Sequence, residues 1–111
     1  MMIAGAPATQ RIWLMAETPH AILAIDEIAG AEPRLGVIVM GTSDLGKALR
    51  LPPDPQRTGL LASLGQCVLA ARCHGIDILD GVFGDLADLG GFRGACEQGK
   101  ALGFDLSLIH I

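Results

Sequence analysis

Aromatic side chains are scarce. One Trp, three Phe and no Tyr amount to 4% of the chain. Charge is also sparse, at 18% against 50% hydrophobic residues. Disorder needs the opposite balance, few hydrophobic residues and a high net charge, so the composition excludes it. The net charge is −4 with no basic patch, which argues against a nucleic-acid partner. Cysteine is limited to Cys67, Cys73 and Cys96, an odd number without metal-ligand spacing. Cys67 and Cys96 fall on apolar helix faces, where a free thiol behaves as a small hydrophobe, and a reduced, cytoplasmic setting is expected. No apolar run approaches the ~18 residues of a membrane helix. No charged segment leads into an apolar stretch, so neither membrane nor signal peptide is expected.

What remains is Ala, Leu, Ile and Val. Such an aliphatic core suits buried parallel strands covered by helices, and 111 residues are enough for one small domain. Ile12 to Met15 is an apolar run too short for a helix and reads as a buried strand. Thr18-Pro19 is a helix start, a hydroxyl cap followed by proline at the first helical position. That helix is expected to run to about Ala29, with Ile22, Ile25, Ile28 and Ala29 on one face and Gly30 closing it. Leu35 to Met40 is the clearest buried strand. A proline-rich loop follows (Pro52, Pro53, Pro55), read as a flap or a surface connection. A long helix is expected from Thr58 to about His74, with Leu60, Leu64, Cys67, Val68 and Ala71 as its buried stripe. Ile76 to Leu79 reads as a third strand. A last helix is expected over about Gly91 to Leu102, with Phe92, Ala95, Cys96 and Leu102 facing inward. Alternating strands and helices imply an α/β fold with a parallel sheet.

Glu17, Asp44 and Asp80 each follow the carboxyl end of a strand, the edge where parallel α/β folds place their active sites. Carboxylates on strands ~4.8 Å apart can share a cation. Magnesium typically takes one or two of them and leaves other positions to water and substrate. The plainer reading is that Asp44 caps the segment from Leu45 to Leu49 and that Asp80-Gly81 is a turn pair. Pattern alone leaves both readings open for Glu17 and Asp44 and favours the turn for Asp80. Gly41 to Lys47 nearly spells a phosphate-binding loop, but Ala48 stands where the hydroxyl belongs, and Asp44 would bring a negative charge among phosphates. His20 and His74 lie in terminal helical turns and need no further role. Lys47 and Arg50 either meet an anionic substrate or decorate a surface helix, and the second is the simpler account.

Four segments carry a resemblance: Trp13-Leu-Met-Ala-Glu17-Thr-Pro, Val39-Met-Gly-Thr-Ser-Asp44-Leu, Ile78-Leu-Asp80-Gly-Val and Ala101-Leu-Gly-Phe-Asp105. In this order they resemble successive strand ends of the HpcH/HpaI aldolase and citrate lyase beta-subunit family, in particular its CoA ester lyase branch with the malyl-CoA lyases. The resemblance implies a partial TIM barrel of about three β/α units, strands five to seven. A complete barrel needs roughly 250 residues. It implies Mg2+ as cofactor with Glu17 and Asp44 as ligands; Ala16 stands where many relatives carry Ile. It implies Gly41, Thr42 and Ser43 as the stretch that receives a substrate carboxylate. Asp80 remains a strand-end acid with no assigned role, and no catalytic acid or base is assigned.

The implied chemistry is aldol-type cleavage or condensation of a 3-hydroxyacyl-CoA such as malyl-, citramalyl- or citryl-CoA, in a parent protein that forms trimers or hexamers. Three alternatives stand beside it. One is a 2-oxo acid aldolase of the same superfamily, against which the Asp80-Gly-Val and Gly-Phe-Asp105 segments argue. Another is a nucleotide-binding module built on Gly41 to Lys47. The third is an inactive truncated chain with aggregation-prone sheet edges. The family's early strands, with their substrate-binding arginine, have no counterpart here. After Asp105 the pattern breaks. Leu106-Ser-Leu-Ile-His-Ile111 matches the in-frame translation of a common sequencing adaptor, so we expect residues 1–105 to be the barrel segment and 106–111 a tail; the alternative is a divergent start of the next strand.

Overall fold

The computed structural model describes residues 11–81 and 89–107. Four strands, β1 (Ile12–Ala16), β2 (Leu35–Met40), β3 (Asp77–Asp80) and β4 (Leu106–Ser107), form one parallel sheet in sequence order. Helices α1 (Pro19–Leu23) and α2 (Ile25–Ala31) join β1 to β2. Helix α3 (Thr42–Ala48), a 3-10 turn at Thr58–Leu60 and helix α4 (Leu61–Cys73) join β2 to β3, and α5 (Leu89–Leu102) leads into β4. This is a segment of a (β/α) barrel. Among the described residues no helix is long and apolar enough to cross a membrane.

Side chains alternate across a strand, and that alternation sorts the sheet into two faces. Ile12, Leu14 and Ala16 of β1 join Ile38, Met40 and Ile78 in a core closed by Ile22, Ile25, Leu45, Leu64, Cys67 and Ala71 from the helices. The opposite face carries Trp13 and Met15, 53% and 46% exposed, in register with Val37 and Val39. Val39 pairs in turn with Leu79. This second apolar face is the one a closed barrel fills with its own side chains. At the carboxyl edge Ala16 is level with Met40, and the Gly41 N–H donates to the Ala16 carbonyl at 2.9 Å.

Several helices differ from their expected bounds. The first is in two pieces, broken at Ala24 (φ −103°, ψ 10°), and its second piece runs on to Ala31. Gly30 therefore lies inside the helix. It does not close it; a Cβ there would stand 2.9 Å from His74 Cε1, so the missing side chain makes room for that ring. Thr18 caps as expected, accepting from the Ala21 N–H at 3.1 Å. Asp44 is not a cap: α3 starts at Thr42, and Asp44 sits in its first turn. The buried stripe of α4 matches expectation, with Val68 half-buried. Cys67 is fully buried, and burial pushes its thiol up to about 11. Helix α5 begins at Leu89, and Phe92, Ala95, Cys96 and Leu102 are all half-buried.

Asp105 joins the last strand to the rest. Its N–H donates to the Ile78 carbonyl at 2.9 Å. Its carboxylate accepts from the Ile78 N–H at 2.7 Å and from Arg72 at 2.9 Å. Desolvation raises its pKa, but the Ile78 N–H and the Arg72 cation outweigh that and hold it below the ordinary value. A depressed carboxylate stabilises the fold above its unfolded pKa, and that contribution disappears as the pH falls through the folded value. Asp105→Asn should therefore lower stability by about 1 kcal/mol at neutral pH, the low end for a charge-assisted bond because the group is partly exposed. The loss should shrink in acid, as denaturant unfolding at several pH values would show.

Candidate functional site

The carboxyl edge of β1 and β2 carries two of the expected acids, Glu17 directly after β1 and Asp44 in the first turn of the helix that follows β2. Glu17 follows Ala16, and its side chain folds over Gly41. A Cβ built on Gly41 would stand 2.5 Å from Glu17 Cβ, 3.0 Å from Glu17 Oε2 and 3.3 Å from Met15 Sδ. Glu17 therefore lies on the Met15 face of the sheet, away from the helices. Asp44 is exposed in the first turn of α3, whose chain leaves the sheet at Gly41. A negative side chain is favoured there by the positive end of the helix dipole. The ion pairs of the described residues use Glu32, Asp80, Asp105 and Asp26. Neither Glu17 nor Asp44 is among them, so two hard oxygen donors stand at the edge without a protein cation.

The third acid does not join them. Asp80 is in register with Met40, one residue past the Val39–Leu79 pair, and alternation turns it toward the helix layer. It is 5% exposed. Arg57 binds it bidentately, Nη1 to Oδ1 at 2.7 Å and Nη2 to Oδ2 at 2.9 Å, and the Gly81 N–H donates to Oδ1 at 2.7 Å. Arg57 Nε also donates to Gln98 Oε1 at 2.8 Å, and the Gln98 amide donates to the Gln56 carbonyl. A Cβ on Gly99 would stand 2.8 Å from Asp80 Oδ2, so α5 meets the carboxylate with bare backbone. The proline-rich loop is thus a tied connection. Asp54 orders its end by accepting from the Gln56 and Thr58 N–H groups, both at 3.0 Å; the Thr58 side chain first, and then these two N–H groups, hold its carboxyl below the usual range. Arg57 is the residue that pattern reading missed. Its signal was a lone cation closing an Asp-Pro-Gln-Arg turn opposite a strand-end acid.

Of the stretch expected to receive a carboxylate, Gly41 contributes space, because its N–H is already donated to Ala16 and its carbonyl accepts from Leu45. Thr42 and Ser43 begin the helix, where amides have no intrahelical acceptor. Thr42 leans on Gly81, where a Cβ would meet its Oγ1. Helix formation from Thr42 also removes the nucleotide-binding alternative. A phosphate-binding loop arches ahead of its helix, whereas here Thr42 to Lys47 is the helix itself and Lys47 lies in its last turn. Beside the site, α3 and the proline-rich loop enclose a cavity of about 530 Å³ lined by Ser43, Lys47, Pro52, Pro53, Arg57 and Thr58 among others.

Removing Arg57 leaves a buried carboxylate unpaired. Arg57→Met should destabilise by about 3 kcal/mol or more, and a second change, Asp80→Leu, should restore most of the loss. Denaturant melts of the two single variants and the double variant test this. Additive effects would rule out the coupling.

The family model for HpcH/HpaI aldolase/citrate lyase matches residues 3–110. The chain is 49% identical over 100 residues to a (3S)-malyl-CoA thioesterase of Cereibacter sphaeroides, a match covering 89% of this chain and 35% of that protein. It is 34% identical over 99 residues to citrate lyase subunit beta of Escherichia coli K12, covering 89% of this chain and 33% of that protein. The chain therefore spans about a third of the length of these relatives. Among solved structures, the citrate lyase beta subunit of M. tuberculosis complexed with oxaloacetate and magnesium superimposes with a TM-score of 0.75 at 24% identity, over 90% of this chain and 47% of that one.

Proposed function

The chain belongs to the HpcH/HpaI aldolase/citrate lyase family, and from that premise we propose that the enzyme it is part of is a magnesium-dependent carbon–carbon lyase acting on a 3-hydroxyacyl-CoA of the malyl-CoA type. The observation that carries this reading is Glu17 folded over Gly41 at the root of the helix that bears Asp44. Two carboxylates without a protein cation, with room left for water and substrate, are a donor set that fits Mg2+. Glu17 and Asp44 are the ligands in this reading. The solved relative with oxaloacetate and magnesium on the same fold supports it. The bound ion supplies a Lewis acid and template for the substrate oxygen that gains charge.

The chain's own groups have separate tasks. The amides of Thr42 and Ser43 point a donor pair at the substrate carboxylate, and Gly41 lets Glu17 lie close without steric conflict. The cavity beside Ser43, with the Lys47 cation in its wall, suits the anionic CoA portion. In the reaction the C2–C3 bond breaks. The hydroxyl carbon becomes the oxo carbon of a 2-oxo acid, its hydroxyl proton passes to a base, and the electron pair goes to the acyl-CoA enolate, which is then protonated.

A second reading is hydrolysis of the same thioester. It is favoured by the 49% identity to a thioesterase, against 34% to a citrate lyase subunit. Water would then add at the thioester carbonyl and release free CoA thiol and the hydroxy diacid. Product analysis with (3S)-malyl-CoA separates the two: a 2-oxo acid with acyl-CoA marks the lyase, free thiol with malate the thioesterase.

In the full-length enzyme, Glu17→Gln and Asp44→Asn should each lower magnesium-dependent turnover by about three orders of magnitude, the loss of several kcal/mol of charge stabilisation, with the fold retained. Gly41→Ala should weaken magnesium binding by pushing Glu17 aside. Wild-type turnover in Glu17→Gln or Asp44→Asn would sink the metal assignment.

A further inference from the structure

A second cluster of ligand atoms lies on the outer helix layer, away from the strand ends. Asp26 stands in the first turn of α2, Cys73 is the last residue of α4, and His74 follows it. One ligand atom from each lies within 4.8 Å of the other two, and His74 Nε2 is 2.8 Å from Asp26 Oδ1.

The surroundings favour a cation. The carbonyl end of α4, a 13-residue helix, directs its negative dipole end at the cluster. Gly30 opens the wall of α2 for the His74 ring, since a Cβ there would stand 2.9 Å from Cε1. The neighbouring cation, Arg72, is turned away to Asp105 and the Gly103 carbonyl.

We propose that Asp26, Cys73 and His74 bind a zinc-class divalent ion, at a site independent of the one holding Glu17 and Asp44. An imidazole nitrogen, a thiolate and a carboxylate form a borderline-soft donor set that suits Zn2+ and is foreign to Mg2+. The ion would be held by Nε2 of neutral His74, with the ring N–H on Nδ1, by an Asp26 carboxylate oxygen and by the Cys73 thiolate, whose proton leaves to solvent. Tetrahedral zinc sets its ligand atoms roughly 3.3–3.8 Å apart, so the His74–Asp26 pair, at 2.8 Å, would open slightly and the exposed Cys73 sulfur would draw in from within 4.8 Å. Three protein ligands leave the fourth position to water. The ion would pin the start of α2 to the end of α4.

The test uses the metal-free full-length protein and Co2+ as probe. One equivalent should produce a thiolate-to-cobalt charge-transfer band that Zn2+ abolishes and excess Mg2+ leaves in place. The band should be lost in Cys73→Ser and in His74→Ala and retained in Glu17→Gln. Zinc should raise the Tm of the wild type and not of Cys73→Ser. Absence of the band, or its survival in Cys73→Ser, would overturn the site and leave an ordinary His–Asp pair.

Discussion

A buried carboxylate without a counter-charge is among the most expensive features a fold can carry, and Asp80 is 5% exposed. Much of the local structure follows from neutralising it. Arg57 must arrive from the proline-rich loop, so that loop is drawn over the end of β3. Asp54 shapes the turn that delivers it, and Arg57 itself takes up a left-handed conformation at φ 55°. Gln98 completes the guanidinium, and Gly99 lets α5 close on the carboxylate. One ion pair thus joins β3, the loop before α4 and the last helix, three parts far apart in sequence.

The period of two along a strand then separates this structural acid from Glu17, a candidate metal ligand. Asp80 shares the helix-facing side with Met40 and Ala16. Glu17, one residue past Ala16, falls on the other side with Met15. The same edge therefore presents one acid to the core, where it is consumed by packing, and one to the opposite face, where among the described residues it takes part in no ion pair. Asp105 makes the same point. It belongs to one of the four segments that carry the family resemblance, yet its carboxylate is spent on Ile78 and Arg72. Two of the four segments thus carry acids, Asp80 and Asp105, that hold the fold.

Much of this architecture was legible in the residues. Leu35 to Met40 could hardly be anything but a buried strand, Thr18-Pro19 fixed a helix start, and the stripe from Leu60 to Ala71 predicted which face of α4 is buried. Boundaries were less legible. The break at Ala24 and the early start of α3 depend on packing, and hydrophobic spacing carries no record of it. Gly30 reads as a helix end by rule, but it serves the His74 ring contributed by another helix.

By itself, the sequence determined the order of strands and helices, the aliphatic core and the family, because these rest on local periodicity and on short motifs that survive without their neighbours. Which acids stand free, which are paired, and which cysteine meets a histidine and an aspartate were decided by the tertiary structure alone. Asp80 meets Arg57 across 23 positions and His74 meets Asp26 across 48, and no spacing rule reaches between residues that only the folded sheet and its helices bring within hydrogen-bond distance.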